Sequence, residues 1–256
     1  MKGKAKLFFR EPGVAAGLEE ASIIFQTLGC TVKCKALDGD KILPNKVLIE
    51  VEGTARAILA GERTALNIVS HMSGIATITS RLAEECFKVN PNIRIAATRK
   101  TLPGLRELEK KAVVIGGGDP HRIRLDDCLL IKDNHLKLIP SITEAIRIAR
   151  KYASFTKKIE VETESLEQAI EAAQAGADVI MFDNQTPTEV QSYLEKLAKL
   201  GLRNGRIYEA SGGITLENAL EYAATGVDVI SLGALTHSAK SLDVKLEVMY
   251  LGRESV

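Results

Sequence analysis

Between Thr98 and His135 the chain reads TRKTLPGLRELEKKAVVIGGGDPHRIRLDDCLLIKDNH, and it holds Arg99, Lys100, His121, Arg122 and Lys132, which are cationic or can become so, around a triple glycine. The whole protein carries 34 basic and 33 acidic residues for a formal charge of +1, so this density is local. Short apolar runs, Ile95-Ala96-Ala97 and Leu129-Leu130-Ile131, come just before Thr98-Arg99-Lys100 and Lys132. That order puts the charges at strand ends rather than on a solvated helix face. Guanidinium and ammonium groups that converge this way bind strong anions, phosphate and carboxylate above all, by charge-assisted hydrogen bonds. The competing reading is a basic surface neutralised by Glu107, Glu109, Asp126 and Asp127.

Other polar residues and glycines also fall where apolar runs stop. LLI ends in Lys132-Asp133-Asn134-His135, KIEV in Glu162, VIMF in Asp183-Asn184, IYEA in Ser211-Gly212-Gly213, and VISL in Gly233-Ala234. Asp183-Asn184 alone could cap a helix that starts near Pro187. Five successive strand ends of this kind are harder to explain as caps, and barrel enzymes place catalytic groups at the carboxyl ends of strands. The last two endings suit a phosphate. Glycine lets backbone N–H groups approach an anion, a following helix N-terminus adds its dipole, and barrels build phosphate sites from their final loops. Gly116-Gly117-Gly118 is weaker evidence, because a simple bend would use the same residues. Glu162 and Asp183 suit hydrogen bonds to sugar hydroxyls, Mg²⁺ held through a phosphate, or stabilisation of a carbocation-like transition state. Their alternative role is neutralisation of Lys132 or Arg122. A phosphate cradle, paired carboxylates and excess cation together predict a site for a phosphorylated sugar and a second, acidic reactant.

These groups need a scaffold. Residues 1–60 read as short strands, KAKLFFR, TVKCKAL and NKVLIEVEG, separated by turn signals at Pro12-Gly13, Gly39-Asp40 and Pro44-Asn45. A helix is predicted over Gly17 to Leu28, so this region is a small α+β unit. From Thr54 to Val89 the period is helical, with interruptions expected near Gly61 and Gly74. Beyond Asn92, strands are predicted at Arg94–Ala97, Ala112–Ile115, Leu129–Lys132, Lys158–Glu162, Asp178–Phe182, Ile207–Ala210 and Asp228–Leu232. Helices are predicted between them at Leu102–Lys110, Ile142–Tyr152, Leu166–Ala175, Pro187–Leu200 and Leu216–Ala224. Strand–helix alternation with short connections implies a parallel sheet. The echo of Gly176-Ala177-Asp178-Val179-Ile180 in Gly226-Val227-Asp228-Val229-Ile230 favours repeated barrel units. The domain expectation is an N-terminal domain over 1–60, a barrel over 61–237, and a tail over 238–256 that packs with the first domain.

Composition excludes several classes. Balanced charge creates no overall field for nucleic acid or membrane, and no apolar run approaches the roughly 20 residues of a bilayer span. The start, MKGKAKLFF, is too short for a secretory signal. Cys30, Cys34, Cys86 and Cys128 lack metal-site spacing and are expected as reduced thiols of a cytoplasmic enzyme.

The runs GERTALNIVSHMSGIAT (61–77), TRKTLPGLRELEKKAV (98–113), GGGDPHRIRLDDCLLIKDNH (116–135), IEVETESLEQA (159–169), IMFDN (180–184), EASGGITLENA (209–219) and DVISLGALTHSAKSLD (228–243) strongly resemble the quinolinate phosphoribosyltransferase family. The resemblance extends from Leu7 to Leu246. It implies an α/β fold, an incomplete seven-stranded (β/α) barrel with a small N-terminal α/β sandwich-like domain, paired as a homodimer or a higher homo-oligomer. It also implies transfer of phosphoribose from phosphoribosyl pyrophosphate to quinolinate, with Mg²⁺ required and carried by the pyrophosphate near Glu162 and Asp183 rather than by direct protein ligands. On this likeness Arg99, Lys100, His121 and Arg122 hold the quinolinate carboxylates, Thr98 is a further substrate-binding residue, and Arg63 reaches across the dimer into the neighbouring site. Lys132, Glu162 and Asp183 surround the ribose and pyrophosphate, and Ser211, Gly212, Gly213, Gly233 and Ala234 form the 5′-phosphate loops. Lys100, Lys132, Glu162 and Asp183 carry the catalytic role. Family members usually have a further segment before the position of Lys4, which bears on the expected N-terminal packing and dimer contact.

Two other readings compete with this one. A Schiff-base aldolase would use Lys132 as nucleophile. A carrier domain would rest on LDGDKILPNKVLIEVEG (37–53), which has the look of a biotinyl or lipoyl half-barrel but lacks a modifiable lysine at a hairpin tip. A paralogue acting on a different acid would keep the fold, but the TRKT and HR motifs favour quinolinate.

Overall fold

A computed structural model describes residues 1–250. The chain begins with β1 (Lys2–Phe9), β2 (Gly13–Val14), α1 (Leu18–Thr27), β3 (Thr31–Cys34), β4 (Lys41–Ile42) and β5 (Val47–Thr54). A long helix α2 (Ala55–Val89) leads to β6 (Arg94–Ala97) and α3 (Arg106–Ile115). Next come β7 (Leu129–Ile131), α4 (Asp133–Leu136), α5 (Ile142–Tyr152), β8 (Ile159–Thr163), α6 (Leu166–Gln174) and β9 (Val179–Asp183). The last elements are α7 (Pro187–Lys199), β10 (Ile207–Ser211), α8 (Ala219–Ala223), β11 (Val229–Leu232), α9 (Ala234–His237) and β12 (Val244–Tyr250). No described helix is long and apolar enough to cross a membrane, and the four cysteines are all free.

The residues divide into two compact units. One comprises 1–81, 101–118 and the residues from Leu235 onward; the other comprises 82–100 and 119–234. The division therefore falls inside α2 rather than at residue 60, and α3 and the tail count with the N-terminal unit.

In the N-terminal unit four strands form an antiparallel sheet in the order β12-β1-β5-β3. The sequence of β1 explains its role. Lys4, Lys6 and Phe8 alternate with Ala5, Leu7 and Phe9, so a period of two buries one face while the other stays partly accessible. That face joins Leu48, Ile49 and Val51 of β5 and Phe25 of α1 in the core. The tail supplies β12, whose Leu246 registers against Leu7.

α2 is one continuous helix of 35 residues, with no break at Gly61 or Gly74. Both glycines serve packing instead. A Cβ at Gly61 would lie 2.9 Å from Leu28 and 3.0 Å from Phe25, and one at Gly74 would collide with the carbonyl oxygen of Lys240. Neighbours distant in sequence, and not local flexibility, explain these glycines.

The second unit contains a parallel sheet in the order β6-β11-β10-β9-β8-β7. With α5, α6 and α7 between strands, this is the α/β architecture of an incomplete barrel. Six strands form it. The expected strand at Ala112–Ile115 is instead the end of α3, because Glu109, Lys110, Ala112 and Val113 are buried together at helical spacing. Short apolar runs such as AVVI suit either state, and tertiary burial decides between them. The seventh strand position is reduced to a single parallel bridge between Asp119 and Ala96.

Candidate active site

Five strands direct their carboxyl ends, or the residues just after them, toward one cavity of about 560 Å³. Thr98, Arg99 and Lys100 follow β6, Lys132 follows β7, Glu162 lies near the end of β8, and Asp183 and Ser211 end β9 and β10. His121, Arg122, Asn184, Gly212 and Gly213 complete the part that concerns chemistry. Eleven of the fourteen residues expected to bind substrate thus line one wall or another of a single space.

Each is positioned by local structure. The Thr98 hydroxyl accepts the Lys100 N–H at 3.1 Å and turns the chain after β6. The Lys132 N–H donates to Nδ1 of His135 at 2.9 Å, fixing the exit of β7, while its ammonium pairs with the Glu162 carboxylate. Burial pushes the Glu162 carboxyl pKa up, an effect opposed by Lys132 and reinforced by Asp183 and Glu160. Lys132 is therefore held in the cavity by an acid that a phosphate can displace as its partner.

Asp183 and Asn184 do not cap α7. Thr186 does so, accepting the N–H of Glu189 in a reciprocal capping box. The Asn184 side chain donates to Asp183 at 2.8 Å, and its backbone N–H reaches the Ser211 carbonyl at 2.9 Å, which ties two strand ends together. Gly212 adopts a φ of 84°, and a Cβ there would collide with Asn184. Glycine is obligatory at that close approach.

Three expected residues are placed elsewhere. Arg63 is exposed on α2 in the N-terminal unit. Gly233 follows β11 and Ala234 opens the four-residue α9, and neither lines the cavity. The helix expected at Leu216 begins only at Ala219 and has five residues, so it contributes little dipole toward Gly213. Asn218 instead stabilises the intervening loop, accepting the Thr215 N–H at 2.8 Å and donating to the Gly213 carbonyl at 3.2 Å. The triple glycine closes α3: Gly117 and Gly118 return N–H groups to Val114 and Val113, both at 2.9 Å. Glu109 and Asp127, offered as neutralising acids, have other roles: Glu109 binds His71 and Asp127 accepts the N–H groups of Ile123 and Arg124.

His121 is the largest surprise. Its φ of 52° is in the left-handed region, where non-glycine residues are uncommon. Both ring nitrogens are engaged within the protein: Nε2 is 3.2 Å from Glu209, and Nδ1 accepts the Arg122 N–H at 2.8 Å. Glu160 lies 3.6 Å from Nε2. Burial opposes a charged imidazole, but the two carboxylates outweigh it and push the pKa up to about 10. With both ring nitrogens occupied inside the protein, His121 offers the cavity no free ring nitrogen. Glu160 and Glu209 escaped the sequence reading. The available signal was strand periodicity: Glu160 shares a β8 face with Glu162, and Glu209 shares a β10 face with Ser211.

An incomplete α/β barrel whose strand ends gather cations, carboxylates and a glycine loop defines a class of enzymes that handle phosphorylated, strongly anionic substrates. Models of the quinolinate phosphoribosyl transferase N-terminal and C-terminal domains match residues 1–73 and 75–247. The chain belongs to the quinolinate phosphoribosyltransferase family. It is 48% identical over 244 residues to a probable nicotinate-nucleotide pyrophosphorylase [carboxylating] of Methanothermobacter thermautotrophicus, covering 95% of this chain and 88% of that protein. It is 39% identical to the human nicotinate-nucleotide pyrophosphorylase [carboxylating], covering 96% of this chain and 82% of the human one. The solved nicotinate-nucleotide pyrophosphorylase of Francisella tularensis superimposes with a TM-score of 0.91 at 33% identity, covering 97% of this chain and 87% of that chain.

Proposed function

We infer that this protein transfers phosphoribose from phosphoribosyl pyrophosphate to quinolinate, releasing pyrophosphate and carbon dioxide and forming nicotinate mononucleotide for NAD biosynthesis. The observation that carries this reading is the convergence of Arg99, Lys100, His121, Arg122 and Lys132 with Glu162 and Asp183 on one cavity, in a chain that matches the family over both domains. Two polyanionic substrates repel each other, and fixed cations offset that repulsion while orienting the reactants. Arg99, Lys100 and Arg122 receive the two quinolinate carboxylates, with His121 beside them on the same wall. Lys132 exchanges Glu162 for a phosphate oxygen. As pyrophosphate departs, positive character grows at the anomeric carbon, and the Glu162 and Asp183 carboxylates stabilise it. The Ser211-Gly212-Gly213 loop offers N–H groups to the 5′-phosphate.

Glu162 and Asp183 are hard oxygen donors on the cavity wall, a donor set that suits Mg²⁺ brought in by pyrophosphate. The ion would neutralise the leaving group when bound. The enzyme acts as a cytoplasmic homodimer or higher homo-oligomer, with exposed Arg63 lent to the partner's site. Mixing inactive Arg63→Ala and Lys132→Ala subunits should restore activity, since one hybrid site has both native residues. Proven exchange without recovery would remove Arg63 from the site.

The decisive assay supplies quinolinate, phosphoribosyl pyrophosphate and Mg²⁺ and scores nicotinate mononucleotide. Nicotinate should be used several orders of magnitude less well, because a missing carboxylate leaves a desolvated cation unpaired at a cost of about 2–5 kcal/mol. Phthalate should bind without reacting. Comparable rates for the two pyridine acids, or an imine trapped at Lys132 by borohydride, would overturn the reading.

A further inference from the structure

Beside the substrate cavity lies a second space, of about 510 Å³, with a different lining. It borders β7, the last strand of the parallel sheet, whose one strand neighbour among the described residues is β8. Successive side chains of a strand point to opposite faces, yet Leu129, Leu130 and Ile131 all line this space. It therefore wraps the open edge of the strand. α5 contributes Ile148 and two alanines, and the loop before β7 contributes Leu125, which is 68% exposed.

The polar lining has one sign. Arg99, Arg122, Lys132 and His135 line the space, whereas Glu162, Asp183 and Glu209, which line the substrate cavity, do not. Arg99, Arg122, Leu130 and Lys132 line both, so the two spaces adjoin at the cations. A concave site of this size, with apolar walls and a few converging charges, has the character of a small-molecule pocket. Its apolar walls are leucine, isoleucine and alanine, which cover an alkyl chain well and give an aromatic ring nothing to stack on. Guanidinium groups at one end select an anionic head, and a carboxylate suits their paired N–H donors.

We propose that this space binds amphipathic monocarboxylates, with the alkyl chain against β7, Leu125 and Ile148 and the carboxylate on Arg99 and Arg122, so that such an acid excludes quinolinate. The exclusion of quinolinate rests on the reaction inferred above, and the binding of the acid does not. Quinolinate, small and doubly charged, has no use for the aliphatic walls. A fatty acid uses them and reaches the same arginines from the other side. The site thus gives the enzyme a way to be inhibited by apolar acids that share no ring with its substrate.

The test measures octanoate, butyrate and 1-octanol binding by calorimetry with the native protein, Leu125→Ser and Ile148→Ser. Octanoate should bind once per chain, about tenfold or more tighter than butyrate, because the added methylenes leave water. It should also bind about tenfold or more tighter than 1-octanol, which lacks the charged head. Phthalate should displace it, and octanoate should raise KM for quinolinate while kcat stays the same. Both variants should weaken octanoate about tenfold and leave phthalate binding and turnover within about twofold of native. Leu125→Ser changes an exposed side chain and carries the test if Ile148→Ser does not fold. Butyrate as tight as octanoate, or octanoate binding unchanged in both variants, would overturn the site. Absence of octanoate binding together with a smaller oligomer in the variants would overturn it too, and would assign the apolar space to a second copy of the chain. Octanoate that phthalate displaces from a protein forming no nicotinate mononucleotide would uphold the site and overturn the reaction instead.

Discussion

The two units bury glutamate in different ways. In the N-terminal unit Glu109 is fully buried and both its carboxylate oxygens are used, one by His71 at 2.8 Å and the other by the Leu102 N–H at 3.2 Å. In the barrel unit Glu160 and Glu209 are almost as buried, but each keeps one oxygen without a hydrogen bond and faces a histidine on a cavity wall. An unsatisfied buried oxygen costs about 1–3 kcal/mol, so a fold that keeps two of them side by side has a use for them. Glu109 belongs to the packing of its unit. Glu160 and Glu209 cluster on His121 beside the candidate site, and the strands that carry them, largely buried, supply the stability that tolerates them.

Substitutions can break this contrast from either side. The largest effect should come from Phe9→Ala in the N-terminal core, where the ring is fully buried. A loss of about 3–5 kcal/mol is expected in denaturant unfolding, with turnover per folded molecule retained. A comparable loss of turnover by folded protein would show that the two units are not separable in this way. Lys132→Ala should do the reverse. It should lower kcat/KM about 100-fold, near 3 kcal/mol of transition-state stabilisation, with the melting temperature close to native. Near-native turnover would mark Lys132 as a surface charge. The smallest effect should come from Thr186→Ala, which removes the α7 cap beside Asp183 and Asn184 without touching either. A cost of about 1 kcal/mol and native kinetics would place the cap with the scaffold. A changed KM would show that it also sets the strand end.

Much of the site was legible in the chain because its residues follow strands. Lys132 comes directly after LLI and Asp183 ends VIMFD, and the rule that barrel catalysis gathers at carboxyl ends needs no coordinates. Helices with strong local signals were equally readable. α5 runs from Ile142 to Tyr152 as its periodicity predicts, starting from a Ser141 cap. Errors arose where a local signal admits two answers. AVVI reads as a strand in isolation, yet it ends α3. Gly61 and Gly74 read as helix breaks, yet they make room for Leu28, Phe25 and Lys240.

Sequence alone therefore determined the order of strands and helices, the apolar faces, and which polar groups follow which strand, because each depends on neighbours within a few residues. Only the tertiary structure decided what His121 does. Its partner Glu209 is 88 residues away, and Glu160 is on another strand again. Hydrogen bonding and burial of a titratable group are set by whatever surrounds it in space, and no local pattern around Asp119-Pro120-His121 encodes two buried carboxylates. That wiring puts a histidine expected to grip a ligand at the centre of a buried acidic cluster.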